Sequence, residues 1–296
     1  MLNIKKGIIL AGGAGTRMYP STQLFNKHLQ PVYDKPMIYY PLTTLMQVGI
    51  RDILLISTTR DLPHFQRLFG NGSQFGIRIQ YEIQFEPAGV AQAFLIGEKF
   101  IASDKVCLIL GDNIFYGKMK LSKIFDNFDT GATIFGYSVQ DPSRYGVVEV
   151  NSSGKVISIE EKPQQPKSNY VVPGLYLYDE NVVTLAKQLI PSERGELEIT
   201  ALNNLYLTAD KLNFEKLDRN TAWFDAGTYH SLLNVSSFIA ALESRQGLKI
   251  ACLEEVAFQQ GFITLSQLQH LISQMPASSY RDYLHTVMLN YEHVNI

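Results

Sequence analysis

The chain has 296 residues, 46% of them hydrophobic, and its 26 basic and 28 acidic side chains give a formal net charge of −2. This balance, without a run of lysine or arginine, argues against a nucleic-acid surface, and no apolar segment approaches the roughly 20 residues of a membrane span. The first residues do not resemble a signal peptide, and Cys107 and Cys252 lack a metal or redox spacing. We therefore expect a cytoplasmic protein with free thiols.

The first 110 residues alternate between strand-like and helix-like patterns. Continuous apolar runs predict buried strands over residues 7–10, 52–57 and 106–110. Helix-like segments lie between these runs, around residues 37–48, 62–69 and 91–101. Such alternation implies right-handed crossovers and a mainly parallel sheet, in which ligands bind beyond the carboxyl ends of the strands.

From about residue 130 the pattern changes to short strands, over residues 132–139, 146–150, 156–160 and 174–178. The polar turn at residues 151–154 predicts a hairpin between two of them. Apolar residues at helical spacing then predict a long amphipathic helix (Leu232, Val235, Ile239 and Leu242) and further helices after Gly247. We expect an α/β core over residues 1–246, which includes a β-rich lobe over about 130–225, and a C-terminal helical appendage over 247–296.

A glycine-rich turn follows the first predicted strand. Gly12 and Gly13 free the backbone to present N–H groups to a ligand, and Arg17 and Lys27 add positive charge. Backbone donors beside cations suit a polyphosphate, although a tight strand-to-helix turn explains the glycines equally well. The spacing excludes a P-loop, and Met18 stands where the dinucleotide-binding fingerprint requires glycine.

Two aspartates end apolar stretches. Asp112 directly follows the strand at residues 106–110, and Asp225 precedes a glycine turn. Carboxylates in such positions can hold a hard cation such as Mg²⁺, and two of them converging would leave coordination positions for phosphate oxygens. The alternative for each is a structural role in a turn or at a helix cap.

Further polar groups stand at strand ends and in loops. Lys162 offers a charge for a phosphate and Glu161 an acceptor for sugar hydroxyls, although such residues more often form a solvated strand end. Arg194 lies in a charged loop, where a surface salt bridge is the ordinary interpretation. Tyr145 and Gly146 could form the floor of a hexose site or simply close a hairpin.

Gln84 and Gly89 flank a proline turn. A glutamine amide carries both a donor and an acceptor, so it can match the imide edge of thymine or uracil with two hydrogen bonds. Gly89 would let the backbone approach the base. Glutamine near a loop is most often merely solvated, so this signal is weak by itself.

Taken in this order, the motifs resemble those of the glucose-1-phosphate thymidylyltransferases, members of the sugar nucleotidyltransferase superfamily. The resemblance covers nearly the whole chain and runs through residues 10–17, 33–42, 111–117, 144–149, 160–163, 194–200 and 245–249. It implies a Rossmann-like nucleotidyltransferase core with a mainly parallel mixed sheet, usually in a homotetramer. The implied reaction makes dTDP-glucose and pyrophosphate from dTTP and α-D-glucose 1-phosphate, the first step of dTDP-deoxysugar synthesis.

The resemblance also implies a role for each matching residue. The triphosphate would be held by Gly12, Gly13, Arg17 and Lys27, and the thymine by Gln84 and Gly89. Mg²⁺ would be ligated by Asp112 and Asp225. The glucose would be lined by Tyr145, Gly146, Glu161 and Tyr176, and its phosphate would be bound by Lys162 and Arg194.

Some positions depart from the family pattern. Ala88 and Ala201 stand where acidic residues are usual, but neither carries the phosphate chemistry. Lys118, Gln259 and Gln260 replace residues of the family's regulatory nucleotide site, which puts feedback inhibition in doubt. Two alternatives stay open: the same chemistry with UTP or another hexose 1-phosphate, and a non-catalytic regulator that binds a nucleotide sugar.

Overall fold

A computed structural model describes residues 3–117 and 119–294, with the backbone alone from 292 to 294. The strands, numbered in chain order, are β1 Lys6–Leu10, β2 Pro31–Val32, β3 Lys35–Pro36, β4 Asp52–Ser57, β5 Arg78–Ile83, β6 Val106–Leu110, β7 Asn113–Tyr116, β8 Ala132–Ser138, β9 Gly146–Val150, β10 Val156–Glu161, β11 Tyr170–Val171, β12 Leu175–Tyr178, β13 Leu212–Lys216 and β14 Ala222–Asp225. The helices are α1 Tyr39–Gln47, α2 Leu62–Phe69, α3 Gln92–Ile96, α4 Glu98–Ile101, α5 Leu121–Asn127, α6 Val182–Ala186, α7 Ile199–Thr208, α8 Tyr229–Gln246, α9 Leu253–Gln259, α10 Leu265–Gln274 and α11 Ser279–Val294.

A sheet of ten strands organises the described part of the chain. Its continuous path runs in the order β10-β9-β11-β8-β12-β6-β1-β4-β5, and β13 pairs with β8. The half built from β6, β1, β4 and β5 is parallel, whereas β12 turns antiparallel against β6. The predicted α/β fold with a mainly parallel mixed sheet is therefore confirmed.

Helices cover both faces of this sheet. Alternate residues of each central strand enter different buried clusters, as Ile8 and Ile9 of β1 do. One cluster includes side chains from α1, α2, α5 and α9–α11, and the other includes side chains from α3, α4, α6 and α7. This double covering explains the continuous apolar runs of the central strands.

The structure modifies the element predictions in places. The helix predicted over residues 91–101 is divided into α3 and α4 at Gly97, whose Cα packs closely on the sheet: a Cβ there would lie 3.1 Å from a methyl of Leu54. The strands predicted between residues 130 and 178 are present, and β8 and β12 belong to the central sheet. The predicted bounds of the lobe and the appendage remain a prediction. None of the helices within the described residues has the length and apolar character to cross a bilayer.

Candidate active site

The carboxyl ends of β1 and β6 open into a cleft of about 760 Å³. This is the edge of a parallel sheet at which ligands bind. The cleft collects thirteen of the fourteen predicted site residues: Gly12, Gly13, Arg17, Lys27, Gln84, Gly89, Asp112, Tyr145, Gly146, Glu161, Lys162, Tyr176 and Asp225. The predicted positions therefore share one cavity, and the role of each remains a prediction.

The glycine loop after β1 is anchored by its first residue. The Ala11 carbonyl accepts a hydrogen bond from Ser57 Oγ at 2.9 Å, which ties the loop to the end of β4. A Cβ on Gly12 would lie only 1.8 Å from Gln84 Oε1, so a side chain there would displace the Gln84 amide. Gly13 adopts a φ of 92°, in the left-handed region that favours glycine. The place of the Gln84 amide thus favours glycine at position 12, and the backbone conformation favours it at position 13.

Two cations stand beside this loop. Arg17 lies on a short 3₁₀ turn and is half exposed, with Nη1 at 3.8 Å from Asp225 Oδ2. Lys27 begins another short turn, and its Nζ lies 2.5 Å from Asp112 Oδ2. Each cation is thus beside one of the two predicted metal ligands, and the four side chains form one charged group in the cleft.

The turn that carries Lys27 is fixed by its neighbours. Asn26 is buried, and its Oδ1 accepts the His28 N–H at 2.9 Å and lies 2.6 Å from His28 Nδ1. Its Nδ2 donates to Asp61 Oδ2 at 2.9 Å. Burial, with the charge of Lys27, lowers the pKa of His28 to about 3, so this imidazole is neutral at pH 7. The local cation is therefore Lys27.

Asp112 reaches the cleft from the turn between β6 and β7, and Asp225 reaches it from the end of β14. β14 pairs with β7, and the Ala226 N–H donates to the Asp112 carbonyl at 2.9 Å, which joins the two segments. Burial raises the pKa of Asp225, and the charge of Asp112 raises it further. Burial acts in the same direction on Asp112, but Lys27 and the neighbouring donors outweigh it and hold the pKa of Asp112 below its usual range.

This carboxylate pair suits a hard divalent cation. Mg²⁺ takes oxygen ligands and is commonly bound by one or two carboxylates together with substrate phosphates and water. Burial and, next, the charge of Asp112 raise the pKa of Asp225, and a bound cation would oppose both effects. In the part of the chain that the structure describes, no three histidine, cysteine or acidic side chains converge as a metal cage. The two carboxylates therefore fit an ion that substrate phosphates would also help to hold.

The other end of the cleft combines a carboxylate with aromatic walls. Glu161 ends β10, and its Oε2 accepts the Thr200 hydroxyl at 2.6 Å. Gly146 is paired with Glu161 across the strands, and the Tyr145 ring packs edge-on against Trp223 at 5.3 Å between centroids. A polar acceptor beside ring faces is a surface that suits a sugar.

The two cations predicted to bind the sugar phosphate are placed differently. Lys162 lines the cleft in a left-handed conformation, with φ 45°, and its N–H donates to the Tyr145 carbonyl at 3.0 Å. Arg194 is the predicted site residue that does not line the cleft. Its Nη2 lies 2.8 Å from Glu198 Oε1 and 3.7 Å from Glu161 Oε1. Arg194 is therefore adjacent to the cleft, held by acidic neighbours.

Gln84 and Gly89 lie at the edge of the cleft nearest β5. Gln84 is almost fully buried, and its Nε2 donates to Gln92 Oε1 at 2.7 Å. Gly89 has a φ of 100°, and a Cβ there would lie 2.4 Å from the Leu197 carbonyl oxygen. The glycine is thus required by the packing of two loops, whether or not a base contacts it.

Several residues that shape the cleft were not singled out from the sequence. Asn113 Oδ1 accepts the Gly174 N–H at 2.8 Å and the Trp223 Nε1–H at 2.7 Å, so one side chain joins three segments. Thr200 holds Glu161, and Trp223 forms a wall. Trp223 is the only tryptophan in the chain, and Asn113 and Thr200 lie within the motifs at residues 111–117 and 194–200, so each had a usable signal.

Among the described family departures, Gln259 and Gln260 do not line the cleft, whereas Ala88 lies between Pro87 and Gly89, which do. Gln259 ends α9, is exposed and bonds Glu255 Oε1 at 3.0 Å, and Gln260 follows it. Ala201 lies within α7. Lys118 lies outside the described residues. That these departures weaken feedback inhibition therefore remains a prediction.

A known protein family matches most of this chain, including the residues of the cleft. The family model for nucleotidyl transferase matches residues 6–241, which include every predicted site residue. The chain therefore belongs to the nucleotidyl transferase family.

Curated relatives define the family more closely. A glucose-1-phosphate thymidylyltransferase of Neisseria meningitidis serogroup A is 53% identical over 94% of this chain and 98% of its own length. One from Mycobacterium tuberculosis is also 53% identical, over 94% of this chain and 97% of its own length. The resemblance to the glucose-1-phosphate thymidylyltransferases is thereby confirmed.

Solved structures agree with this placement. A crystal structure of a Bacillus anthracis protein assigned as a glucose-1-phosphate thymidylyltransferase, in complex with a sucrose, superposes with a TM-score of 0.74 at 43% identity. That match covers 79% of this chain and 94% of the other. A UDP-glucose pyrophosphorylase complexed with UDP-glucose has a TM-score of 0.70 at 21% identity over 82% of this chain and all of its own, which supports the fold alone.

Proposed function

We propose that the protein transfers a thymidylyl group from dTTP to α-D-glucose 1-phosphate and releases pyrophosphate. The observation that carries this proposal is that one cleft is lined by Arg17, Lys27 and Lys162 together with the carboxylates of Asp112 and Asp225. Two anionic substrates must meet in this reaction, and a cleft lined by cations offsets their repulsion. The thymidylyltransferase relatives, which match over nearly their whole length, support the same reaction.

The chemistry needs no general base. The second pKa of a phosphate monoester is about 6, so the sugar phosphate is already largely an anionic nucleophile at pH 7. Its oxygen attacks the α-phosphorus in line, the bond from that phosphorus to the bridging oxygen breaks, and pyrophosphate leaves on the opposite side. Burial lowers the pKa of His28 to about 3, so this imidazole adds no positive charge at pH 7 and we assign it no role in the step.

Charge stabilisation is then the main task of the side chains. Arg17 and Lys27 bind the triphosphate together with N–H groups of the glycine loop, and Lys162 binds the phosphate of the sugar. Asp112 and Asp225 hold a divalent cation, for which Mg²⁺ fits the donor set. When bound, that ion neutralises phosphate charge and orients the reacting groups.

The remaining residues orient the two substrates. Gln84 pairs with the imide edge of thymine, for which its amide carries the required donor and acceptor. Glu161 accepts hydrogen bonds from glucose hydroxyls, and Tyr145, Gly146 and Tyr176 line the sugar. Arg194, which Glu161 and Glu198 hold beside the cleft, is assigned to the sugar phosphate on the family resemblance. Such positioning can contribute as much to the rate as charge stabilisation.

A homotetramer in the cytoplasm is proposed on the family resemblance alone. The product then enters dTDP-deoxysugar synthesis, in which rhamnose is one end point. Size-exclusion chromatography with light scattering measures the mass of the assembly: a fourfold multiple of the 33.4 kDa chain supports this proposal, and any other mass contradicts it.

Pyrophosphate release tests the proposed reaction directly. The purified protein is assayed with dTTP or UTP against glucose 1-phosphate or another hexose 1-phosphate, with Mg²⁺ and with a chelator. We expect the highest kcat/KM for dTTP with glucose 1-phosphate and no turnover after chelation. Preference for another pair would overturn the substrate assignment. Saturable nucleotide binding without pyrophosphate release would instead identify a non-catalytic regulator.

A further inference from the structure

A pair of glutamine side chains lies behind the edge of the cleft where Gln84 stands. Gln92, the first residue of α3, does not line the cleft, and its Oε1 accepts two hydrogen bonds. One comes from the Ala88 backbone N–H at 3.0 Å, and the other comes from Gln84 Nε2 at 2.7 Å. Gln84, in contrast, is buried at the cleft wall beside Gly12.

The backbone donor determines the direction of both amides. A backbone N–H can only donate, so the Gln92 atom that faces Ala88 must be its oxygen. Gln84 must then direct its nitrogen toward that same oxygen, because two amide oxygens 2.7 Å apart would repel each other. Gln84 Oε1 is consequently directed toward Gly12, and no donor bonds it within residues 3–117 and 119–291. The acceptor and the second Nε2 hydrogen stay available to a ligand.

We infer that Gln92 is a positioning residue for nucleobase specificity, an inference that rests on the proposed function. It holds Gln84 with an acceptor and a donor in fixed places. The imide of thymine or uracil offers N3–H to that acceptor and a ring carbonyl to that donor. Cytosine offers the reverse pattern, an acceptor at N3 and an amino donor, which only a flipped Gln84 amide would match. Gln92 thereby disfavours cytosine by opposing the flip.

The test compares two substitutions at one position. Gln92→Met removes the acceptor and keeps a similar volume, so the Gln84 amide becomes free to turn. We expect the ratio of kcat/KM for dTTP to that for dCTP to fall about 10-fold or more, because a buried hydrogen-bonding group no longer rejects the wrong base. The KM for glucose 1-phosphate should change less than the KM for dTTP, because the Gln92 side chain bonds Gln84 and Ala88 and none of the residues assigned to the sugar.

Gln92→Glu is the matched control. Its carboxylate keeps an acceptor for Ala88 and Gln84, and its charge acts alike on dTTP and dCTP, so the ratio should stay near the wild-type value. Calorimetric dissociation constants for the two nucleotides without sugar phosphate give a readout that is independent of turnover. Thermal unfolding monitors the fold, and Gln92→Ala replaces the methionine variant if that variant does not fold.

The outcomes separate this inference from the proposed function. Suppose the wild-type protein prefers dTTP. If the dTTP-to-dCTP ratio of kcat/KM is then unchanged in Gln92→Met, or falls equally in Gln92→Glu, the role of Gln92 alone is overturned. A wild-type protein that neither releases pyrophosphate with dTTP nor binds it in preference to dCTP overturns the proposed function and the inference with it. A ratio that falls in Gln92→Met and persists in Gln92→Glu supports both.

Discussion

Individual ion pairs decide the charge inside the cleft. Lys27 and Asp112 are both mostly buried, with Nζ and Oδ2 2.5 Å apart, and the charge of Lys27 helps to hold the pKa of Asp112 below its usual range. An unpaired charge at such a depth is costly, so both groups depend on a partner or a ligand. Arg17 and Lys162 are about half exposed, so their charged groups are more accessible to a ligand.

Asp112→Asn tests the carboxylate pair at the residue scale. The amide is a weaker ligand for a hard cation and loses the charge that opposes Lys27. We expect kcat for pyrophosphate release to fall about 10²–10³-fold, the usual cost of losing one electrostatic contact to the reacting groups. Asp129→Asn is the control, because that aspartate side chain is 89% exposed, and it should leave kcat unchanged. Near-normal release by a folded Asp112→Asn variant would remove Asp112 from the mechanism.

Lys162→Ala tests the sugar-phosphate end of the cleft. Losing a charged hydrogen bond to a phosphate should raise the KM for glucose 1-phosphate about 10-fold or more and affect the KM for dTTP much less. Lys167→Ala is the matched control, since Lys167 follows the same strand, pairs with Glu160 and is exposed. Initial-rate kinetics with each substrate varied measure both constants. An unchanged KM together with an unchanged kcat would contradict the assignment.

At the scale of elements, two loops hold the ends of the cleft together. The Leu197 N–H donates to the Ala88 carbonyl at 2.7 Å, and the Ala91 N–H donates to the Leu197 carbonyl at 3.1 Å. These bonds pair the turn before α3 with the segment before α7. Gly89 lies between them and leaves no space for a side chain. The nucleotide and sugar regions are thus coupled through backbone packing.

Gly89→Ala should therefore lower the free energy of unfolding by more than its positive φ alone would explain. Gly154→Ala is the control, because Gly154 has a φ of 82° in a hairpin with no atom near its missing Cβ. We expect about 1–2 kcal/mol of destabilisation for Gly154→Ala and about 1–3 kcal/mol more for Gly89→Ala. Chemical denaturation measures both. Equal losses would show that the contact with Leu197 does not restrict this position.

On the scale of the whole molecule, the C-terminal helices share the core of the sheet. Leu268 and Ile272 of α10 and Leu284 of α11 belong to the same buried cluster as Ile9 of β1. A shared core predicts that the described helices after α8 unfold together with the sheet rather than separately.

Leu284→Ala tests this cooperativity. The side chain is fully buried, so its truncation should lower the free energy of unfolding by about 2–5 kcal/mol. Leu289→Ala on the same helix should change it by less than about 0.5 kcal/mol, because Leu289 is 49% exposed. Both variants should unfold in a single transition. A separate transition that Leu284→Ala alone shifts would show an independently folding appendage.

The central elements of the fold could be predicted because their signals are local. Continuous apolar runs identified β1, β4 and β6, and helical spacing identified α8. β5 was missed because it lies at a sheet edge, where its residues alternate between buried and exposed. β7 and β14 were missed because each is short and exists only through pairing with the other.

For the site, the sequence by itself determined the residue types, the glycine turn and the motif order, which together indicate a nucleotidyltransferase. Tertiary structure alone brought Asp112 beside Lys27 and joined it to Asp225 through β7 and β14. It also placed Arg194 beside the cleft rather than in it and turned the amide of Gln84 toward Gly12. Local propensity encodes conformation along the chain, whereas these contacts arise from strand pairing and side-chain packing between distant segments.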